Sequence, residues 1–201
     1  MTVKTQANEA TREKIMLAAT TVFLSHGYEQ TTTRDISKLL GISQPALYHY
    51  FGDKEALFVA VIKRVGHQVF SDMSDILAQQ YAQPIDQLTA LTTVIVTRHP
   101  RDVFTLIHGS FATLSAESQQ QLGRVFGHDY VMPITHFFEQ AAVKRRENID
   151  ARMAASFYIT SLAPLFGSFH ALDDNLNMTA RIQQLLDLIF YGVSERWVLK
   201  A

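Results

Sequence analysis

A chain of 201 residues, 47% hydrophobic and 18% charged, has room for one large domain or two small ones and is too apolar for a disordered segment. It has no cysteine, which excludes disulfides and cysteine-ligated metal and suits a reducing cytoplasm. The net charge of −1 excludes a uniformly basic surface, yet residues 1–66 carry eight Lys/Arg against six Asp/Glu and residues 67–201 ten against thirteen, so the N-terminal third leans toward an anionic partner.

The opening stretch MTVKTQANEATREK lacks the apolar core of a signal peptide. From Thr11 to His26 the residues Ile15, Ala18, Ala19, Val22 and Phe23 repeat at helical spacing, and Gly27 supplies a stop. Thr33 to Leu40 reads as a short helix capped by Thr32, with Asp35 near its positive end and Gly41 closing it. Ser43 caps a second short helix to about Tyr50. Gly52 and Asp53 then break and recap the chain. A long helix follows, with Leu57, Phe58, Val61, Ile62, Val65, Val69, Ile76 and Leu77 turned inward.

Further helices are expected near 84–98, 101–114, 117–146, 150–171 and 179–198, with Pro133 and Pro164 kinking or splitting two of them. No alternating pattern of strand type is present, so the fold class is all-α. The uncharged run from Met153 to Leu172 has bilayer length, but Ser156, Thr160, Ser161, Pro164, Ser168 and His170 make it a buried interface helix rather than a membrane span.

The segment TTTRDISKLLGISQPALYHYF has the layout of a helix-turn-helix: a capped helix, a glycine turn and a second capped helix. Ile36, Leu39, Leu40, Ile42 and Leu47 are the expected small core. Gln44, Pro45, Ala46, Tyr48 and His49 then face outward at the start of the second helix, the end that enters a major groove in such motifs. Gln44 can pair with an adenine edge, and Pro45 and the Ala46 methyl can pack on a thymine methyl. Tyr48 and His49 carry tips suited to phosphate oxygens, and Arg34 can reach a guanine or a phosphate. Lys54, in the first turn of the long helix, stands against the helix dipole. A phosphate held at that helix start would outweigh a repulsion of about 0.3–1 kcal/mol.

From Arg12 to Phe58 the sequence resembles the DNA-binding domain of the tetracycline-repressor (TetR) family of bacterial regulators. The resemblance rests on His26 to Tyr28 (HGY), Thr31 to Ile36, Gly41 to Ser43, and Ala46 to Leu57. It implies that Arg34, Gln44, Pro45 and Ala46 face bases and that Thr33, Tyr48, His49 and Lys54 face phosphates of a double-stranded DNA operator. Ala46 departs from the threonine of the tetracycline repressor, so the base sequence read at this position need not be similar.

The resemblance further implies a three-helix DNA-binding domain over residues 1–55 and a helical effector-binding and dimerisation domain over residues 56–201. It points to a homodimeric, ligand-responsive transcriptional regulator in the cytoplasm, acting as a repressor. An alternative is a DNA-binding regulator whose C-terminal domain holds a protein partner instead of a small molecule. The dimer contact is expected on the stripe Ile182, Leu185, Leu186, Ile189, Val193 and Trp197, or on the uncharged 153–172 helix. Phe104, His108, Phe111, Tyr130, Phe137, Tyr158 and Ser161 are the candidate contacts for a small, largely apolar or aromatic effector; His128 and His136 are weighed beside them. His128, His136 and Glu139 are too ordinary a helical set to count as a metal site. Without a phosphate loop, serine elbow or metal signature, neither catalysis nor a cofactor is expected.

Overall fold

The computed structural model describes residues 3–99, 109–166 and 176–191, which are helical with no strand. Two compact units are present: one joins residues 1–71 with 98–130, the other residues 72–97 with 131–201. Phe104, His108, Val193 and Trp197, and most of the helix expected near 101–114, lie outside the described residues.

In the first unit, α1 (Val3–Gln30) buries Ile15, Met16, Ala19, Phe23 and Leu24. The stop expected at Gly27 is a break inside α1, where φ is 82° and ψ 173°, a conformation that costs a residue without Cβ little. Helical turns resume to Gln30, and Thr31 Oγ1 donates to the Gly27 carbonyl at 2.7 Å.

Helix α2 (Thr33–Leu40) begins with a reciprocal cap. Thr32 Oγ1 accepts from the Asp35 amide at 3.2 Å, and the Asp35 carboxylate accepts from the Thr32 amide at 3.3 Å. The Thr32 hydroxyl holds the Asp35 carboxyl below its usual range. Gly41, at φ 65°, ends α2 in the left-handed conformation. Helix α3 (Gln44–Phe51) starts from Ser43, whose Oγ accepts from the Ala46 amide at 3.3 Å.

Helix α4 (Lys54–Leu77) is capped by Asp53, which accepts from the Ala56 amide at 2.7 Å. Leu57, Phe58, Val61, Ile62, Val65 and Val69 are buried as expected; Ile76 and Leu77 are only half-buried, and Met73 takes the inward place beside them. Phe58 meets Phe23 edge-on at 5.2 Å and Tyr28 at 5.0 Å, so α1 and α4 share an aromatic core. Midway along α4, Gly66 is pressed against a neighbour: a methyl group there would lie 2.7 Å from both Asp129 Oδ2 and Val125 Cγ1.

The single helix expected over 117–146 is three pieces. Helix α6 (Ala116–Val125) passes into a π-helical turn (Phe126–Val131) and then into α7 (Met132–Glu139). Pro133 has no N–H to offer the carbonyl four residues back, so the backbone widens in the turn just before it. Helical structure ends at Glu139 rather than near 146. Arg145 holds the bend that follows, donating from Nε to the Phe138 carbonyl at 2.7 Å and from Nη1 to the Ile149 carbonyl at 2.8 Å.

In the second unit, α5 (Pro84–Arg98) buries Leu88, Leu91, Thr92 and Ile95, and its bounds are those expected. Helix α7 packs against α8 (Ala151–Thr160). The helix expected from 150 to 171 ends at Thr160, short of Pro164, which sits in a 3-10 turn (Ala163–Leu165); residues 167–171 lie outside the described residues. Helix α9 (Met178–Tyr191) turns Ile182, Leu185 and Leu186 inward. These three residues of the expected dimer stripe therefore close the chain's own core, while the large apolar groups exposed on α8 and α9 are Met153, Phe157, Met178, Leu188 and Tyr191. Among the described residues, no helix is long and apolar enough to cross a membrane, and no group of three His, Asp or Glu is placed to hold a metal ion.

Candidate nucleic-acid interface

Helices α2 and α3 are pinned together from inside by Ile36 and Leu47, both fully buried. Leu39 is not part of that core; it is 65% exposed. The buried face of α2 instead runs through Thr33, Ile36 and Ser37, because the Ser37 hydroxyl is satisfied by the Thr33 carbonyl at 2.8 Å and can be buried cheaply.

With Leu47 inward, the N-terminal end of α3 is presented to solvent. Pro45, Tyr48 and His49 are exposed, Gln44 and Ala46 are half-exposed, and Arg34 is exposed at the start of α2. Seven of the eight residues expected to contact DNA thus keep some open surface.

Thr33 does not. It is 6% exposed, and its hydroxyl lies inside the motif, accepting from Gln44 Nε2 at 3.1 Å and lying 2.9 Å from the Tyr48 hydroxyl. The phosphate contact that the resemblance implied for Thr33 would need this hydroxyl to be shared with, or released from, these two partners. The distance in sequence, 15 residues between Thr33 and Tyr48, is why no local pattern revealed the link.

Lys54 is half-buried, and its amine has a neighbour within the chain: Nζ lies 4.1 Å from the centre of the Tyr28 ring. The ring face offsets the dipole repulsion without any external anion. Burial, with Glu55, Asp53 and Glu29 nearby, raises the Tyr28 phenol above its usual range, so the ring stays neutral beneath the cation. On the other side of the same turn, the Glu55 carboxylate accepts from the Ser115 amide at 3.0 Å and its hydroxyl at 2.5 Å, which lowers the Glu55 carboxyl and caps α6.

The residues chosen for an effector divide into separate settings. Tyr130 is fully buried, with its hydroxyl 3.0 Å from His99 Nε2, and Phe111 is half-buried. Phe137 and Tyr158 are fully buried, and the Tyr158 hydroxyl is 2.7 Å from Thr92 Oγ1. Ser161 donates to the Phe157 carbonyl at 2.7 Å. A groove of about 340 Å³ elsewhere is lined by Asp53, Glu55, Lys63 and Glu117 together with Ala56 and Val59, a mixed lining rather than the largely apolar one expected.

A capped helix pair with a solvent-facing second N-terminus has the layout of a helix-turn-helix. Residues 15–61 match the family model described as bacterial regulatory proteins, tetR family. The chain is 36% identical over 64 residues to the transcriptional repressor AcnR of Corynebacterium efficiens, covering 32% of this chain and 34% of that one. It is 32% identical over 104 residues to the repressor NicS of Pseudomonas putida, covering 50% and 49%. The match therefore spans between a third and a half of these relatives. A TetR-family regulator structure from Agrobacterium tumefaciens has the same fold over 90% of this chain and 98% of that one, with a TM-score of 0.73 and 20% identity. The chain carries the N-terminal domain of the TetR family.

Proposed function

We propose that the protein is a ligand-responsive transcriptional regulator that binds a pseudo-palindromic operator as a homodimer and represses until a small, largely apolar or aromatic effector releases it. The observation that carries this reading is the outward-facing start of α3; Gln44, Pro45 and Ala46 are the residues proposed to face bases, and Tyr48 and His49 those proposed to face phosphates. Arg34 and Lys54 add charge at its two flanks. The repressor names of the partial relatives support the sign of regulation.

The working division is a reading head in residues 1–55 and an effector and dimer region in 56–201. The effector contacts proposed are Phe104, His108, Phe111, Tyr130, Phe137, Tyr158 and Ser161. A second copy would cover Met153 and Phe157 of α8 and Leu188 and Tyr191 of α9, all open apolar groups. Two reading heads one DNA turn apart, about 34–36 Å, then match the two half-sites. A coupling of about 1–3 kcal/mol between effector and operator is enough to switch occupancy. The protein works in the cytoplasm and needs no cofactor or catalytic step.

The test is fluorescence anisotropy on a duplex that the protein itself selects from a randomised pool. Gln44→Ala should relax base preference at one position of each half-site. Lys54→Ala should weaken all duplexes about equally and reduce the salt slope by about one. No enrichment of any duplex over random competitor would end this reading.

A further inference from the structure

The hydroxyl of Thr33 has one proton and two lone pairs, and two partners contend for them: Gln44 Nε2 at 3.1 Å and Tyr48 OH at 2.9 Å. An amide nitrogen can only donate, so with Gln44 in this orientation Thr33 accepts from it. Between the two hydroxyls the proton can run either way. If Tyr48 donates inward, the Thr33 proton is left without a partner in a site that is 6% exposed. If Tyr48 donates outward to an anion, the Thr33 proton turns onto the Tyr48 oxygen. Every group is then satisfied.

We infer that Thr33 is a positioning residue through which a phosphate held by Tyr48 fixes which face of the Gln44 amide is shown to a base. The proton chain runs from the Gln44 N–H to the Thr33 oxygen, from the Thr33 O–H to the Tyr48 oxygen, and from the Tyr48 O–H to the phosphate. Its direction keeps one amide N–H inward and leaves Oε1 and the second N–H outward, the acceptor–donor pair that matches the N6 and N7 edge of adenine. A flipped amide would need the Thr33 proton for its oxygen, and Tyr48 would have to donate inward. The phosphate forbids that. Backbone grip and base choice are therefore one event, although Thr33 touches neither.

This inference rests on the DNA-binding reading, and its test separates the two. Base preference at the Gln44 position is measured by anisotropy, on the duplex selected by the wild-type protein and its single-base variants, for Thr33→Val, Thr33→Ser, Tyr48→Phe and the double variant Thr33→Val with Tyr48→Phe. Thr33→Val should lower discrimination at that base about tenfold, the scale of one lost bidentate contact. Thr33→Ser should restore it. Tyr48→Phe should produce the same loss from the exposed end of the chain, so the result does not depend on Thr33→Val folding. The double variant should be no worse than either single one. Undiminished discrimination in Tyr48→Phe, or losses that add in the double variant, would overturn the inference while the wild-type protein still selects a duplex. Failure of the wild type to select one would overturn the DNA-binding reading itself.

Discussion

Two hydrogen-bonded threonine–tyrosine pairs occur among the described residues, and their surroundings give the same chemistry opposite uses. Thr33 and Tyr48 join α2 to α3 at 2.9 Å, with the tyrosine 40% exposed. Thr92 and Tyr158 join α5 to α8 at 2.7 Å, with both residues fully buried. In the buried pair the proton order is closed: Thr92 donates to the Leu88 carbonyl at 2.6 Å, so Tyr158 must donate to Thr92. Burial also drives the Tyr158 phenol far above its ordinary range, and a phenol that donates its proton to Thr92 is held neutral. In the open pair one proton still has a choice. An enclosed pair is a fastener, and a pair with one hydroxyl toward solvent can respond to what arrives there.

The sharpest way to break that contrast is to loosen the open region mechanically. Leu47→Ala empties the fully buried site that seats α3, and a loss of about 2–5 kcal/mol is expected in urea unfolding. The cost should fall on stability and duplex binding together, since α3 loses its seat.

Next comes pH. His99 is buried, and desolvation, helped by the nearby Arg98 charge, pushes its imidazole down to about 4 from 6.5. The unfolded chain therefore takes up a proton below about pH 6.5 while the native chain does not until about pH 4. Stability should be full above pH 6.5 and fall through that window by up to roughly 1.4 kcal/mol per pH unit. Urea unfolding of wild type and His99→Gln between pH 4 and 7 should show a shallower decline in the variant. Parallel curves would mean that His99 is open to protonation in the folded state.

The smallest effects test the buried fastener directly. Thr92→Val leaves the Tyr158 phenol with no acceptor and should cost about 1–3 kcal/mol, whereas Tyr158→Phe removes only a donor and should cost about 1 kcal/mol. Both should leave base preference unchanged, as Thr33→Val should not. A shift in base preference from either would erase the distinction between the two pairs.

The helix-turn-helix was legible in the sequence because its instructions are local. Thr32, Ser43 and Asp53 each cap a helix within three residues, and Gly41 ends one by its own backbone freedom, so α2 and α3 fall within a residue of expectation. The exposure of Tyr48 and His49 followed from the same spacing. What failed was anything set by a distant partner. Leu39 looked like core because it is apolar, but hydroxyls that find acceptors displaced it. The dimer stripe on α9 looked like a surface because periodicity does not say which neighbour a stripe meets. The helix expected to 146 ended at Glu139 because a guanidinium six residues on holds the bend. The effector residues stay a proposal for the same reason: a pocket is built by chain crossings that no local motif records.

Gly66 carries one more consequence. With Asp129 Oδ2 and Val125 Cγ1 where a first side-chain carbon would sit, α4 meets its neighbour backbone to side chain at this residue. Any larger residue at position 66 would have to push the Asp129 carboxylate or the Val125 methyl aside, so the closeness of the two segments is written into the absence of one carbon atom.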